Sequence, residues 1–160
     1  MNYGSILKAD TANGTGFRVS LFVSGCTRDC KGCFNKKAQN PNYGKLFDES
    51  TKQKLFLELE KDYCRGLSIL GGEPLSELSD NRKTIISLCK EVKEKYPNKN
   101  IWLWSGYTIE EIEKSTEMKD ILKYIDTLVD GPFVEENKDL TIPFRGSSNQ
   151  RIIKLNNVNN

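Results

Sequence analysis

Three cysteines carry the most specific chemistry in the chain. The stretch Cys26-Thr27-Arg28-Asp29-Cys30-Lys31-Gly32-Cys33 sets its thiols at spacings of four and three residues, directly after a run of strand-forming residues. Thiols held that closely converge on one metal centre, because soft sulfur ligands select iron–sulfur clusters or zinc. The ligand count bears on which. A structural zinc site takes four protein ligands, and histidine, the usual complement to cysteine, is absent from the sequence. A cubane cluster on three cysteines leaves one iron without a protein ligand, and an open iron can take a substrate. The lack of histidine also removes a Ser–His–Asp triad, a Cys–His pair and a His-Glu-x-x-His zinc site. Difficult chemistry here has to come from a cofactor that the protein binds and orients.

The elements that must position this loop follow from periodicity. Residues 1–16 read as a short extended arm and a turn, with Asn13-Gly14 and Gly16 as turn residues. A strand is expected from Phe17 to Ser24: Phe17, Val19, Leu21 and Val23 alternate, and Phe22 points to burial on both faces near its end. The cysteine loop leaves the C-terminal end of this strand, where functional loops gather in parallel α/β folds. Ser50-x-x-Gln53 predicts a capping box opening a helix, with Leu55, Phe56, Leu59 and Tyr63 on one face. A second strand, Gly66 to Leu70, ends in Gly71-Gly72-Glu73-Pro74-Leu75, which in isolation reads as a turn. Asp80 to Tyr96 follows as an amphipathic helix with Ile85, Leu88, Cys89 and Val92 at helical spacing, and Pro97-Asn98 ends it.

The pattern then repeats. Ile101 to Trp104 is a third strand running into Ser105-Gly106-Tyr107, and Thr108-x-x-Glu111 caps a further helix. That helix breaks near Ser115-Thr116 and resumes through Ile121, Leu122 and Ile125. A fourth strand from Thr127 leads into Asp130-Gly131-Pro132-Phe133, and the polar loop Arg145 to Gln150 precedes a last strand, Arg151 to Leu155. Residues 156–160 read as a frayed tail. Cys64 and Cys89 read as small apolar fillers. Strands alternating with helices imply a mainly parallel α/β sheet.

On these residues the chain resembles the radical S-adenosylmethionine superfamily, whose signature is Cys-x3-Cys-x2-Cys. Gly32-Cys33-Phe34-Asn35, Trp104-Ser105-Gly106-Tyr107, Leu128-Val129-Asp130-Gly131 and Arg145-Gly146-Ser147-Ser148-Asn149-Gln150 are similar to stretches of the activating enzymes of anaerobic ribonucleotide reductase. So is the entry stretch of Asp10, Asn13-Gly14 and Gly16 followed by Arg18. Many superfamily members place an aromatic residue before the third cysteine; here Gly32 stands there and Phe34 follows. The resemblance implies one domain over residues 1–160, folded as a partial, open (β/α) barrel with the site at the C-terminal edge of a mainly parallel sheet. Cys26, Cys30 and Cys33 would hold a [4Fe-4S] cluster. Gly32, Cys33 and Phe34 would flank S-adenosylmethionine, Gly71, Gly72 and Glu73 would meet its methionine end, and Ser105 and Asp130 would face the same cleft.

The implied reaction is reductive cleavage of S-adenosylmethionine to methionine and a 5′-deoxyadenosyl radical. That radical takes a hydrogen from a glycine α-carbon of the anaerobic ribonucleoside-triphosphate reductase. No acid–base residue is required beyond cluster and cofactor, and an electron donor such as flavodoxin is implied. Two other readings stand beside this one. A small radical S-adenosylmethionine enzyme acting on a free metabolite, such as a deazaguanine-type synthase, would share the cluster. A non-catalytic zinc or iron–sulfur binding module would need a fourth ligand.

Composition bounds the rest. The 160 residues are 37% hydrophobic and 29% charged, enough for one buried core. The net charge of +2 comes from interspersed Lys and Glu, without the concentrated basic face of a nucleic-acid binder. No apolar run approaches membrane-spanning length and the first residues carry no signal pattern, so a cytoplasmic protein is expected, with its five cysteines reduced.

Overall fold

Alternation along four parallel strands decides which side of the sheet the helices cover. In the computed structural model, which describes residues 1–155, the elements are β1 (Asn2–Asp10), β2 (Phe17–Val23), β3 (Lys45–Leu46), α1 (Glu49–Leu59), β4 (Cys64–Gly71), α2 (Asn81–Lys95), β5 (Asn100–Trp104), α3 (Ile109–Lys114), β6 (Thr127–Asp130) and β7 (Arg151–Lys154). They form one mixed sheet of seven strands in the order β3-β1-β2-β4-β5-β6-β7. Its centre is parallel, from β2 through β4 and β5 to β6, while β1, β3 and β7 join antiparallel at the two sides. The tail expected at 156–160 lies outside the described residues.

Register aligns like with like across the parallel strands. Leu21 pairs with Ile69, Ile69 with Leu103 and Leu103 with Leu128. All four are fully buried, and they belong to one core with Leu55, Phe56 and Leu59 of α1, Ile85, Leu88, Cys89 and Val92 of α2, and Ile112 of α3. Each such aliphatic side chain contributes roughly 1.5–3 kcal/mol by leaving water. The residues between them, Ser20, Ser68, Trp102 and Thr127, form the neighbouring row, and in a strand that row faces the other side of the sheet. Every crossover helix therefore packs on one face.

Local signals placed most elements, with two differences and one confirmed break. The extended arm is in fact β1, nine residues paired with β2 through a register broken between Tyr3 and Ser5 and again between Leu7 and Asp10. α1 is capped by Asp48, whose side chain accepts from Thr51 N–H at 2.8 Å, and Gln53 instead bonds Glu49. Asp48 wins because it stands at the N-cap, within reach of the free N–H of Thr51 in the first turn, so the expected Ser50 box does not form. The break near Ser115 is real: α3 ends at Lys114 and the chain resumes as a 3-10 turn at Lys119–Lys123. The Thr108–Glu111 capping box is present in both directions. No helix among the described residues is long and apolar enough to cross a membrane.

Candidate functional site

The C-terminal ends of the four parallel strands open into one cavity of about 570 Å³. The loop after β2 supplies Cys26, Arg28, Cys30, Cys33 and Phe34; the turn after β4 supplies Gly71, Gly72 and Glu73. Ser105 and Gly106 come from the end of β5, and Gly131 and Phe133 from the end of β6. Behind them Phe22, Leu70 and Trp104 form the floor on the helix-free face, with Phe144 and Gly146 from the long loop before β7. The cysteine loop and the Gly-Gly-Glu turn, separated in sequence by α1 and β4, thus share one wall.

Backbone contacts explain how they come together. Gly72 N–H donates to Val23 O at 2.8 Å and Glu73 N–H to Gly25 O at 2.8 Å, while Gly25 N–H donates to Ala38 O at 2.7 Å. A Cβ on Gly72 would lie 2.7 Å from the carbonyl oxygens of both Gly25 and Ala38. Glycine is required there so that the turn can lie against the root of the cysteine loop. Asn81, at the start of α2, reaches the same place and donates to Ser24 O at 2.7 Å.

The three thiols line the cavity half-exposed, whereas Cys64 and Cys89 are buried in the core. Arg28 N–H points at Cys26 Sγ at 3.5 Å and Asn35 N–H at Cys33 Sγ at 3.4 Å. Burial raises the Cys26 thiol pKa; Arg28 N–H opposes this, and the charges of Glu73, Cys30 and Cys33 add to it. Among the described residues no three Cys, His, Asp or Glu side chains meet tightly enough to hold a single ion. On a cubane each thiolate binds a separate iron, so its three sulfurs stand further apart than those of a mononuclear site. Three soft donors around one cavity, with N–H groups aimed at two of the sulfurs, fit the ligand requirement of an iron–sulfur cluster.

Glu73 is almost fully buried, at 1% exposure. Its Oε1 accepts from Leu75 N–H at 3.0 Å and Ser105 Oγ–H at 2.9 Å, and its Oε2 from Gly106 N–H at 2.7 Å. Burial raises its pKa; the three donors and the nearby Arg28 charge act against that rise. Ser105 therefore lines the cavity while its hydroxyl is committed to Glu73.

Two expected residues lie elsewhere. Asp130 is absent from the cavity wall: it is 1% exposed and accepts from Ile109 N–H at 2.8 Å and from Arg151 at 3.0 Å and 2.5 Å. A buried carboxylate at the end of β6 needs a partner, and Arg151 stands directly opposite on β7. Gly32, with φ +69°, turns against Glu135, outside the cavity lining. Of the polar loop Arg145 to Gln150, Arg145, Gly146 and Gln150 line the cavity, while the loop's side-chain hydrogen bonds go to the chain itself. Ser147 Oγ accepts from Val134 N–H, Asn149 donates to Pro132 O, and Gln150 donates to Gly131 O.

Contacts across the cavity mouth join strands that are not neighbours. Phe34, 59% exposed, packs on Phe133 with ring centroids 4.8 Å apart, and Lys31 Nζ pairs with Glu135 at 3.2 Å. The sequence reading passed over Arg28, Phe133 and Phe144 as site residues. Arg28 had a signal in its place between the first two of the three closely spaced cysteines; Phe144 had none, because its approach depends on the loop before β7.

Comparison with known proteins agrees with the donor set. Residues 12–153 match the family model described as a 4Fe-4S single cluster domain. The chain's relatives include proteins that carry the name anaerobic ribonucleoside-triphosphate reductase-activating protein. The one from Enterobacteria phage T4 is 44% identical over 152 residues, covering 95% of this chain and 93% of its own. That from Haemophilus influenzae is 41% identical over 154 residues, 95% of this chain and 97% of its own. The Escherichia coli K12 protein is 36% identical over 157 residues, 97% and 99%.

Proposed function

The chain belongs to the family of anaerobic ribonucleoside-triphosphate reductase-activating proteins, and from that premise we propose that it is a radical S-adenosylmethionine activase that forms a glycyl radical on such a reductase. The observation that carries this reading is the meeting of the three thiols and the Gly71–Glu73 turn on one cavity wall. A [4Fe-4S] centre with one iron free of protein ligands supplies, when bound, the electron for reductive cleavage of S-adenosylmethionine, through which a glycine loses its α-hydrogen.

The residues of the chain bind and orient. Cys26, Cys30 and Cys33 hold the cluster at the end of β2. Gly71, Gly72 and Glu73 present backbone and carboxylate to the amino-acid end of the cofactor, with Ser105 fixing the orientation of Glu73. Three donors already occupy Glu73, and a carboxylate offers about four lone-pair sites, so one direction remains for a ligand ammonium. Phe34 flanks the cofactor at the mouth, while Gly32 sets the bend that places it there. Asp130 acts through the fold, tying β6 to β7 and to the start of α3.

The sheet supports the matching fold reading. Its parallel strands follow in sequence order with all helices on one face, the arrangement of a barrel wall rather than a doubly wound sheet. We read it as a partial, open (β/α) barrel whose mouth admits a loop of the reductase. The reductase is the macromolecular partner, and an electron donor such as flavodoxin serves the cluster in the cytoplasm. The test is anaerobic reconstitution with iron and sulfide, reduction, and assay of 5′-deoxyadenosine and methionine. Equimolar formation of both supports the reading; a protein that takes up iron and sulfide but leaves S-adenosylmethionine intact refutes it.

A further inference from the structure

We propose that Arg28 is a specificity residue of the cavity, binding the α-carboxylate of S-adenosylmethionine through its guanidinium. The inference rests on the cofactor reading above and adds a protein contact to the carboxylate, beside the open iron that the reading leaves free for the cofactor. An amino-acid end carries an ammonium and a carboxylate on one carbon, so a site for it needs an acceptor and a cation side by side. Glu73 is the acceptor. Its neighbour in the wall is Arg28: a Cβ on Gly106 would meet Arg28 Nε at 2.7 Å and Glu73 Oε2 at 3.3 Å. The two nevertheless form no ion pair, and Glu73 is filled by Leu75, Ser105 and Gly106.

Other arginines show what a satisfied guanidinium looks like in this fold. Arg18 donates to Ser68 Oγ, Leu67 O and Asn100 Oδ1, and Arg151 pairs with Asp130 and Glu110. Arg145, the other arginine of the cavity wall, donates to Pro143 O and Gln150 O. Among the described residues Arg28 has no such acceptor. Its guanidinium lies over the Tyr107 ring, 4.7 Å from the centroid, and its stem crosses Gly106, where a Cβ would come within 2.4 Å of Arg28 Cδ. Ring and glycine hold the stem while leaving the donor edge uncommitted. A planar fork of that kind matches a carboxylate through two parallel hydrogen bonds.

The test compares two ligands on one protein. Binding of S-adenosylmethionine and of its decarboxylated analogue is measured by equilibrium dialysis on anaerobically reconstituted wild type, Arg28→Met and Arg28→Lys. A second readout is the perturbation of the reduced-cluster electron paramagnetic resonance signal by each ligand. Expected are unchanged iron and sulfide content and a loss of about 10- to 100-fold in S-adenosylmethionine affinity for Arg28→Met. Arg28→Lys should recover part of that loss, since it keeps the charge but not the fork. For the decarboxylated analogue, Arg28→Met should equal wild type in both readouts. Equal losses for both ligands, or no loss for either, overturn the assignment, as does loss of iron in Arg28→Met. Wild type that holds its cluster but binds no S-adenosylmethionine overturns the cofactor reading itself, and the role of Arg28 with it.

Discussion

The two faces of the sheet are built from the same strands and to opposite ends. On the helix side, Val19, Leu21, Leu67, Ile69, Ile101, Leu103 and Leu128 are at most 1% exposed and meet three helices. On the other side, Arg18, Ser20, Ser68 and Trp102 lie below, and Phe22, Leu70 and Trp104 lie above under the cavity. The first face holds the fold together by apolar burial. The second leaves room for a ligand and fills its lower end with a polar network in place of a second core. Arg18 is the centre of that network: it is fully buried, its pKa is lowered to about 10 by burial, and its ring neighbour is Trp102 at 5.6 Å.

The contrast predicts effects that differ in kind as well as size. Cys30→Ala should reduce cofactor cleavage to background, because two thiolates cannot hold a cluster with one open iron, while far-ultraviolet circular dichroism stays unchanged. Full cleavage by that variant would refute its role as a ligand. Leu103→Ala, on the helix face, should cost about 2–5 kcal/mol in urea unfolding. By contrast Leu140→Ser, at the mouth and 71% exposed, should stay within about 0.5 kcal/mol; equal costs would mean the mouth is part of the core.

Smaller effects probe the polar end. Arg18→Met should destabilise by about 1–3 kcal/mol, because Ser68, Leu67 O and Asn100 lose their donor inside the protein. An unchanged or higher stability would show that water or repacking replaces it. Asp10 gives the smallest signal. Burial works to raise its pKa, but donors from Ser20, Asn13 and Ala12 outweigh burial and leave it lowered. Its contribution is therefore fully present above about pH 4 and lost as pH falls through the lower folded value. An acid-unfolding series of Asp10→Asn should accordingly be flatter than wild type below pH 4.

Much of this was legible in the sequence, for a physical reason in each case. The cysteine loop and the Gly-Gly-Glu turn depend on local spacing, and both fall at strand ends where the structure puts them. The helix-side core follows from alternation. What stayed hidden depends on partners distant in the chain. Arg18 enters the sequence reading only as part of the entry stretch, because its burial depends on Asn100 and Ser68, which are distant in the chain. Asp130 looks like a site carboxylate until β7 folds back and sets Arg151 against it. β1 escaped because two register breaks erase its alternation. The polar stretch at 145–150 carries amides and hydroxyls suited to a ligand, yet their acceptors and donors are the chain's own backbone.

The central claim, that the open face is a cofactor site serving a protein partner, is tested most directly by low-temperature electron paramagnetic resonance. The sample is the anaerobically reconstituted, reduced protein with S-adenosylmethionine and an anaerobic ribonucleoside-triphosphate reductase. A glycyl-type doublet that disappears when S-adenosylmethionine is omitted is the predicted result. A reduced-cluster signal that responds to S-adenosylmethionine without any doublet would contradict the activase reading and direct attention to a small-molecule substrate. Zinc in place of iron, with no sulfide and no cluster signal after full reconstitution, would contradict the cofactor site altogether.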